Sequence, residues 1–341
     1  MRAIVVRETG SIDSLRCEDL PDPEAEAGEV VVKVSALGVN VGDVNQTQPG
    51  EPRTLRQPRV MGGDAAGTVS AVGAGVESVG IDQRVLVNPG ISCGVCVRCL
   101  SGRDNICSAY MLMGYGTLNG GYAEYVKVPE ANIVPLPDEV SFVDAATIPI
   151  VWITAWHMLF DIGRLTAGDV VLVEPAGSGV GTAAIQLARM AGAQVIAAAG
   201  AEWKLERARE LGAHAGVDYT DAGWPGRVRE LTDGRGMDIV IDASRGSAFD
   251  AAIETMALGG RAVTAAPGQG STVEVRRLFR DQAISAVLLG PKSSLPRIVE
   301  MFRLGQVRPV IHAVHPIADI AQAHRDLIDR KAFGKVVMTW D

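Results

Sequence analysis

The stretch EPAGSGVG, residues 174–181, follows an apolar run at Val170–Val173 and leads directly into a helical pattern over Gly179–Met190. The alternation continues beyond it. Strand patterns at Val195–Ala199, Gly216–Tyr219, Ile239–Asp242 and Arg261–Ala265 are separated by helical patterns at Glu202–Leu211 and near Ala248–Met256. Strands that alternate with helices pair in parallel and bury both faces, so this half of the chain predicts an α/β, doubly wound sheet of the Rossmann type.

The glycine turn carries chemistry in that context. Gly177, Gly179 and Gly181 let the backbone turn tightly and approach a pyrophosphate, and the helix that follows offers free N–H groups and a partial positive charge. Ala176, Gly177, Ser178, Gly179, Val180 and Gly181 are therefore the expected dinucleotide contacts. A glycine-rich connection without a ligand is the plainer alternative, and the strand–turn–helix setting argues against it. The end of the second strand should choose the cofactor. An acidic residue there holds the ribose 2′-OH of NAD; this chain has Gly200. Lys204 and Tyr219 are placed to receive a 2′-phosphate, so NADPH is expected over NADH. Lys204 as a solvated helix residue is the alternative, and Glu202 is a competing acid.

Four of the five cysteines fall in one loop, Cys93, Cys96, Cys99 and Cys107, spaced C-x2-C-x2-C-x7-C. Four thiolates that close in sequence can complete a tetrahedron around one zinc. A site with four protein ligands has no open position, so one structural zinc per chain is expected, folding a lobe over residues 88–109. Cys17 has no such company and is expected to be inert.

The N-terminal part reads as short strands and turns, with strand patterns at Val30–Ser35 and Gly67–Val72. The tail after residue 287 holds helical patterns at Leu295–Leu304 and Ile317–Ile328 and a last strand at Lys335–Thr339; it is too short to stand alone and should return to the first domain. A first domain over 1–151 and 288–341, with a nucleotide domain over 152–287, is expected. At 341 residues the chain can build two cores. A net charge of −8 gives no basic field for nucleic acid, and Arg276, Arg277 and Arg280 read as a solvated helix face. The apolar stretch Ile148–Phe160 is too short to span a bilayer, and the N-terminus lacks a signal-peptide core. A cytoplasmic protein is expected, consistent with reduced thiols.

Several segments in order resemble the medium-chain dehydrogenase/reductase superfamily: VSALGVNVGD, GGDAAGTVSAVGAGV, the cysteine lobe, NGGYAEYVKVP, AATIPIVWITAWHML, AGSGVGTAAIQLA and GKVVM. The resemblance covers nearly the whole chain and is nearest to the quinone oxidoreductase-like branch. It implies a GroES-like, mostly-β catalytic domain built from both chain ends around the Rossmann domain. It also implies a homodimer, with a tetramer as the larger option, and a small-molecule substrate. By the same resemblance Thr154 lies against the nicotinamide and Lys335 touches the cofactor.

The departures from the pattern matter most. The zinc-dependent members hold a catalytic zinc at positions matching Asn40, Gly63, Asp64 and Ile150. Glycine and isoleucine cannot bind zinc and an amide is a poor ligand, while a catalytic zinc needs three protein ligands. The hydroxyl relay of the family is replaced by Gly42, and a tyrosine of many metal-free members by Asn45. Hydride delivery to an electron-poor carbon tolerates such a site, so reduction of a quinone or an α,β-unsaturated carbonyl is expected. Asn40 would stabilise the developing oxyanion, and Asp43 and Asp64 would order the floor of the site. Tyr115 and Tyr122 are the candidate proton donors, beside water and the cofactor ribose. Substrate walls are expected from Val44–Val60 and Leu288–Ser293. Two other readings stay open: a cofactor-binding protein with little turnover, and a metal-free alcohol or carbonyl dehydrogenase.

Overall fold

The computed structural model describes residues 1–341 except 9, 49–58, 117, 245–247, 266–272, 274–277 and 341. The chain forms two compact units: Met1–Ile150 with Pro291–Asp341, and Val151–Gly290.

The first unit is mostly β. Its main sheet has seven strands, in the order Ile133–Pro135, Arg84–Val87, Ala65–Val72, Glu29–Val39, Lys335–Thr339 and Ile311–Pro316, with Tyr125–Pro129 also pairing with Glu29–Val39. The C-terminal strand Lys335–Thr339 lies antiparallel to Glu29–Val39, setting Val336 opposite Val39, and runs parallel to Ile311–Pro316. The tail thus completes the sheet begun by the N-terminal part. A three-stranded sheet of Arg16–Asp19, Arg2–Val6 and Arg59–Val60 stands beside it. Alternate residues of these strands, among them Val30, Val32, Val34, Val85 and Val87, fill one buried core.

The second unit is a six-stranded sheet, parallel throughout. Its order is Ala215–Asp218, Gln194–Ala199, Val170–Glu174, Met237–Asp242, Met256–Thr264, Ala283–Ala286. The order reverses beside Val170–Glu174, the strand that feeds the glycine turn. Ligands of open parallel sheets bind at that reversal, outside the carboxyl ends of the strands. All five residues of Val170–Glu174 are buried, as a strand covered on both faces requires.

Three local expectations need correction. The helix expected near Ala248–Met256 ends at Ile253, and the strand beyond it starts at Met256 rather than Arg261. The Thr255 hydroxyl donates to the Ala252 carbonyl and helps to close the helix at that point. The helix expected over Ile317–Ile328 is a 3-10 turn, Ile317–Asp319, followed by the helix Ile320–Ile328, because Asp319 leaves helical geometry (φ −95, ψ 23). Arg280 is not on a helix: it and Asp281 have φ of 46 and 64, a tight turn. Arg276 and Arg277 lie outside the described residues, as do 49–58 of the expected substrate wall. Among the described residues no helix is long and apolar enough to cross a membrane.

Candidate active site, nucleotide turn and metal lobe

In the cysteine lobe the four sulfurs lie within 4.8 Å of one another. Cys96 and Cys99 are 3.5 Å apart, as are Cys107 and Cys93, while the Cys93–Cys99 and Cys96–Cys107 separations are 3.9 Å. Four sulfurs about 2.3 Å from one tetrahedral ion stand roughly 3.8 Å from each other, so the cluster fits zinc. Backbone N–H groups of Val95 and Cys96 bring the Cys93 thiol down to about 6, which favours the thiolate a metal needs. The lobe is anchored within the first unit by buried Asp104, which accepts the Lys292 N–H at 3.1 Å. Cys17 is exposed on the strand Arg16–Asp19, away from the cluster in sequence and sheet.

Asn40, Asp43, Asp64 and Lys335 come together inside the same unit. Asn40 caps the short helix Val41–Asn45, and Asp43 reaches back to accept the Asn40 N–H at 2.9 Å. The Lys335 ammonium donates to Val39 O at 3.0 Å, Asn40 Oδ1 at 2.7 Å and Asp64 Oδ2 at 2.8 Å. Those three bonds use its three hydrogens. The other Asp64 oxygen accepts the Ile150 N–H at 2.9 Å. Asn40 Nδ2 donates to Asp64 Oδ2 at 2.9 Å, and its nearest further acceptor, Gly38 O, is 3.5 Å away. One hydrogen of the amide is thus only loosely engaged. The amide orientation is fixed by these partners, since Lys335 can only donate and Asp64 here accepts.

The region around Gly63 is filled. A Cβ on Gly63 would stand 2.6 Å from Cδ1 of Ile150, so isoleucine packs directly over that glycine. The cationic charge near Asn40 and Asp64 comes from Lys335. Two buried carboxylates draw on this ammonium, and the imbalance falls on Asp43. Burial first, and then the charge of Asp64, push its carboxyl up to about 6 despite the Asn40 N–H, Lys335 and a hydrogen bond from Tyr115. Tyr122 extends the network. Its hydroxyl lies 3.3 Å from Asp43 Oδ2 and 3.3 Å from His324 Nε2, and both rings are fully buried. Burial pushes Tyr122 well up and His324 down to about 4, so both are neutral at physiological pH. His324 was not legible as a site residue: it lies more than 200 positions from Tyr122, and nothing in its spacing sets it apart from the other histidines.

In the second unit, Ser178 caps the helix Gly179–Met190. Its hydroxyl accepts the Gly181 N–H at 2.9 Å and donates to Pro175 O at 2.9 Å. A Cβ on Gly181 would lie 2.2 Å from Pro175 O, so only glycine lets the first helical turn approach the strand end this closely. Ala176 and Gly177 are buried beneath, while Ser178, Gly179 and Val180 are half-buried at the mouth of the turn. The first helical N–H groups have no intrahelical acceptor. The turn therefore fits a pyrophosphate. Buried Thr154 lies on the helix Val151–Trp156, which packs on this same helix. His157, next along, is buried and bonds Asp161 at 2.7 Å.

At the end of the second strand, Tyr219 stands over exposed Gly200, where a Cβ would lie 2.9 Å from its ring. Glu202 is paired with Arg209 at 2.8 Å, and the Lys204 ammonium stands 5.2 Å from the Trp203 ring centre.

One buried acid has no counterpart among the expected site residues. Glu174 ends the first strand of this sheet, in register with Asp242 on the neighbouring strand. Asp242 accepts from the Thr264 hydroxyl at 2.6 Å and the Ser244 N–H at 2.8 Å. Among the described residues neither Glu174 oxygen has a hydrogen-bond partner. Burial, followed by the Asp242 charge, raises Glu174 to about 8. A carboxyl raised in the folded state binds its proton more tightly there than when unfolded. Stability therefore falls as pH rises from about 4 through 8. Glu174→Gln should remove that slope: little change at about pH 5, and a gain of about 1–3 kcal/mol at about pH 9. Urea unfolding midpoints at the two pH values check this, and equal midpoints at pH 9 would contradict it.

The comparisons with known proteins agree with both units. Residues 26–138 match the family model of the alcohol dehydrogenase GroES-like domain, and residues 179–303 that of the zinc-binding dehydrogenases. A solved NAD-dependent alcohol dehydrogenase superposes with a TM-score of 0.94 at 42% identity, over 99% of each chain. The quinone oxidoreductase of Rattus norvegicus is 28% identical over 349 residues, 99% of this chain and 97% of that protein. A phenolphthiocerol/phthiocerol polyketide synthase of Mycobacterium tuberculosis is 28% identical over 347 residues; the match takes in 98% of this chain and spans only 14% of that much longer protein. With both family models, a whole-chain relative at 42% identity and a cysteine lobe built for zinc, this chain belongs to the medium-chain dehydrogenase/reductase superfamily and is an oxidoreductase.

Proposed function

We propose that the protein is an NADPH-dependent reductase of quinones or α,β-unsaturated carbonyls that works without a catalytic zinc. The observation that carries this reading is the set of groups around Asn40. Gly63 and Ile150 offer no ligand atoms, Ile150 packs over Gly63, and the Lys335 ammonium bonds both Asn40 and Asp64. A divalent ion would have to displace that ammonium and then find three protein ligands.

The chain's own residues account for the rest. Ser178 and the glycine turn would hold the pyrophosphate, and Thr154 would bear on the nicotinamide. The open side of Gly200, Lys204 and Tyr219 would take a 2′-phosphate, since Glu202 is drawn toward Arg209. When bound, the reduced nicotinamide supplies a hydride. Negative charge then develops on the substrate oxygen, where the loosely engaged Asn40 hydrogen can donate. Lys335 and Asp64 fix the amide so that this hydrogen need not reorganise. Lys335 thus acts on the reaction by positioning Asn40, and contact with the cofactor is not required of it. A cytoplasmic location and a homodimer complete the proposal.

A second reading has its own support. The 42% identical relative is described as an NAD-dependent alcohol dehydrogenase, so alcohol oxidation with NAD⁺ must be tested alongside. NADPH loss at 340 nm is expected with a panel of quinones and enones, and tighter binding of NADPH than NADH in fluorescence titration. Asn40→Ala should lower kcat by about 10²-fold with NADPH affinity little changed. Steady NAD⁺ reduction by primary alcohols, abolished by a chelator while the cysteine lobe stays folded, would establish the second reading instead.

A further inference from the structure

We infer that the hydroxyl of Tyr115, seated on Gly42 and bonded to Asp43, donates the proton that completes reduction of the substrate. This rests on the reductase reading above and names the acid that reading lacks.

The placement comes from a missing side chain. A Cβ on Gly42 would lie 2.2 Å from the Tyr115 hydroxyl oxygen and 3.2 Å from Cζ. The phenol therefore occupies the space any larger residue at 42 would fill. Gly42 is the second residue of the helix Val41–Asn45, and Asn40 is its cap. The Tyr115 hydroxyl and the Asn40 amide thus stand at the same helix start. Asp43, one residue on, accepts the Tyr115 hydrogen bond and fixes the ring.

Exposure separates the two candidate tyrosines. Tyr122 is fully buried, with its hydroxyl between Asp43 and His324. Tyr115 is half-buried and stands beside exposed Val41 and half-buried Gly42, so part of it meets solvent. The groups facing Asp43 are Tyr115, Tyr122, Asp64, Lys335 and the Asn40 N–H, with His324 beyond Tyr122. Of these, Tyr115 carries the one hydroxyl on a residue that meets solvent.

The chemistry balances. A hydride adds two electrons and one hydrogen to the conjugated carbon, the nicotinamide is oxidised, and the substrate oxygen becomes negative. The one Tyr115 hydroxyl hydrogen, held by Asp43 in the resting site, turns to that oxygen; the phenol O–H bond breaks and an O–H bond forms on the substrate. The phenolate beside the Asp43 carboxylate is repelled and recovers a proton from water. A phenol is acidic enough to protonate an enolate, which must be protonated to leave. A hydroquinone anion, itself a phenolate, has far less need of the acid.

That difference is the test. With NADPH and two probes, 2-cyclohexen-1-one and 1,4-benzoquinone, Tyr115→Phe should lose about 10²-fold in kcat on the enone and less than about fivefold on the quinone. NADPH affinity should be unchanged, and the thermal midpoint should fall by only a few degrees, as for one lost hydrogen bond to Asp43. Adding Gly42→Ser to Tyr115→Phe returns a hydroxyl to the same space and should recover at least about tenfold on the enone. Gly42→Ala, which keeps the tyrosine but displaces its hydroxyl, should reproduce the enone-selective loss even if Tyr115→Phe folds poorly. Equal loss on both probes, or none, overturns the assignment while leaving the reductase reading intact. A wild-type protein inactive on both probes overturns the reductase reading and this one with it.

Discussion

Lys335→Met is expected to destabilise the first unit by about 3–5 kcal/mol, the typical cost of stranding a buried charge. The ammonium is 4% exposed and makes all three of its bonds within the cluster. Without it, Asp64 loses its bonded cation and the repulsion between the buried Asp64 and Asp43 carboxylates is less offset. For a folding unit of this size the thermal midpoint should fall by roughly 10 °C. The pH dependence has a definite sign. Asp43 already sits at about 6 in the folded protein, above its unfolded value near 4, so it favours folding increasingly as pH falls through that window. Losing the ammonium raises the folded value further. The deficit should be largest above about pH 7 and shrink toward pH 5. Adding Asp64→Asn should return part of the loss, because removing both partners of a buried pair costs far less than removing one. A single variant as stable as the wild type at pH 8 would mean that the cluster is not held by this charge.

The parts of the molecule legible in sequence are those that local pattern dictates. The helix Gly179–Met190 runs over the residues its periodicity marks, because its start is written in Ser178 and the glycine turn. The cysteine lobe was legible because its four ligands fall within one loop, so sequence spacing nearly fixes spatial spacing. The Lys335 contacts were not legible. Its partners Asn40 and Asp64 lie 295 and 271 residues away in sequence, and only the pairing of Lys335–Thr339 with Glu29–Val39 brings them together. The same holds for Tyr115 over Gly42, where the sequence marks a glycine but the ring that takes the space arrives from another element. Tyr219 beside Gly200, by contrast, is expected from the strand ends. Glu174 is illegible for a different reason. Its carboxyl looks like an ordinary strand-end acid until the neighbouring strand places Asp242 in register with it.

Protein prepared without added metal is expected to carry one zinc per chain, and Cys96→Ser to lose it. A structural zinc contributes its binding energy directly to folding, on the order of 10 kcal/mol or more for small zinc-nucleated folds. The tip of this lobe has little else to hold it. Its helix, Val97–Leu100, is four residues long and none of them is buried, and Val95, Val97 and Leu100 are each at least 75% exposed. At the base of the lobe Asn132 bonds the Asn88 and Gly90 carbonyls and Gly90–Ile91 pairs with Met111–Leu112, while beyond it the sulfur cluster and the Asp104 contact to Lys292 are the main ties. Loss of zinc should therefore free the cysteine-bearing part of residues 88–109 to exchange amide hydrogens rapidly while the parallel sheet of the second unit stays protected. Binding of NADPH through the glycine turn should survive, because that turn belongs wholly to Val151–Gly290. Metal analysis with hydrogen exchange tests each step. A ratio near two zincs per chain would point to a second metal site and sink the metal-free mechanism. Retention of one zinc by Cys96→Ser, with slow exchange across the lobe, would show that the four sulfurs are not the ligand set.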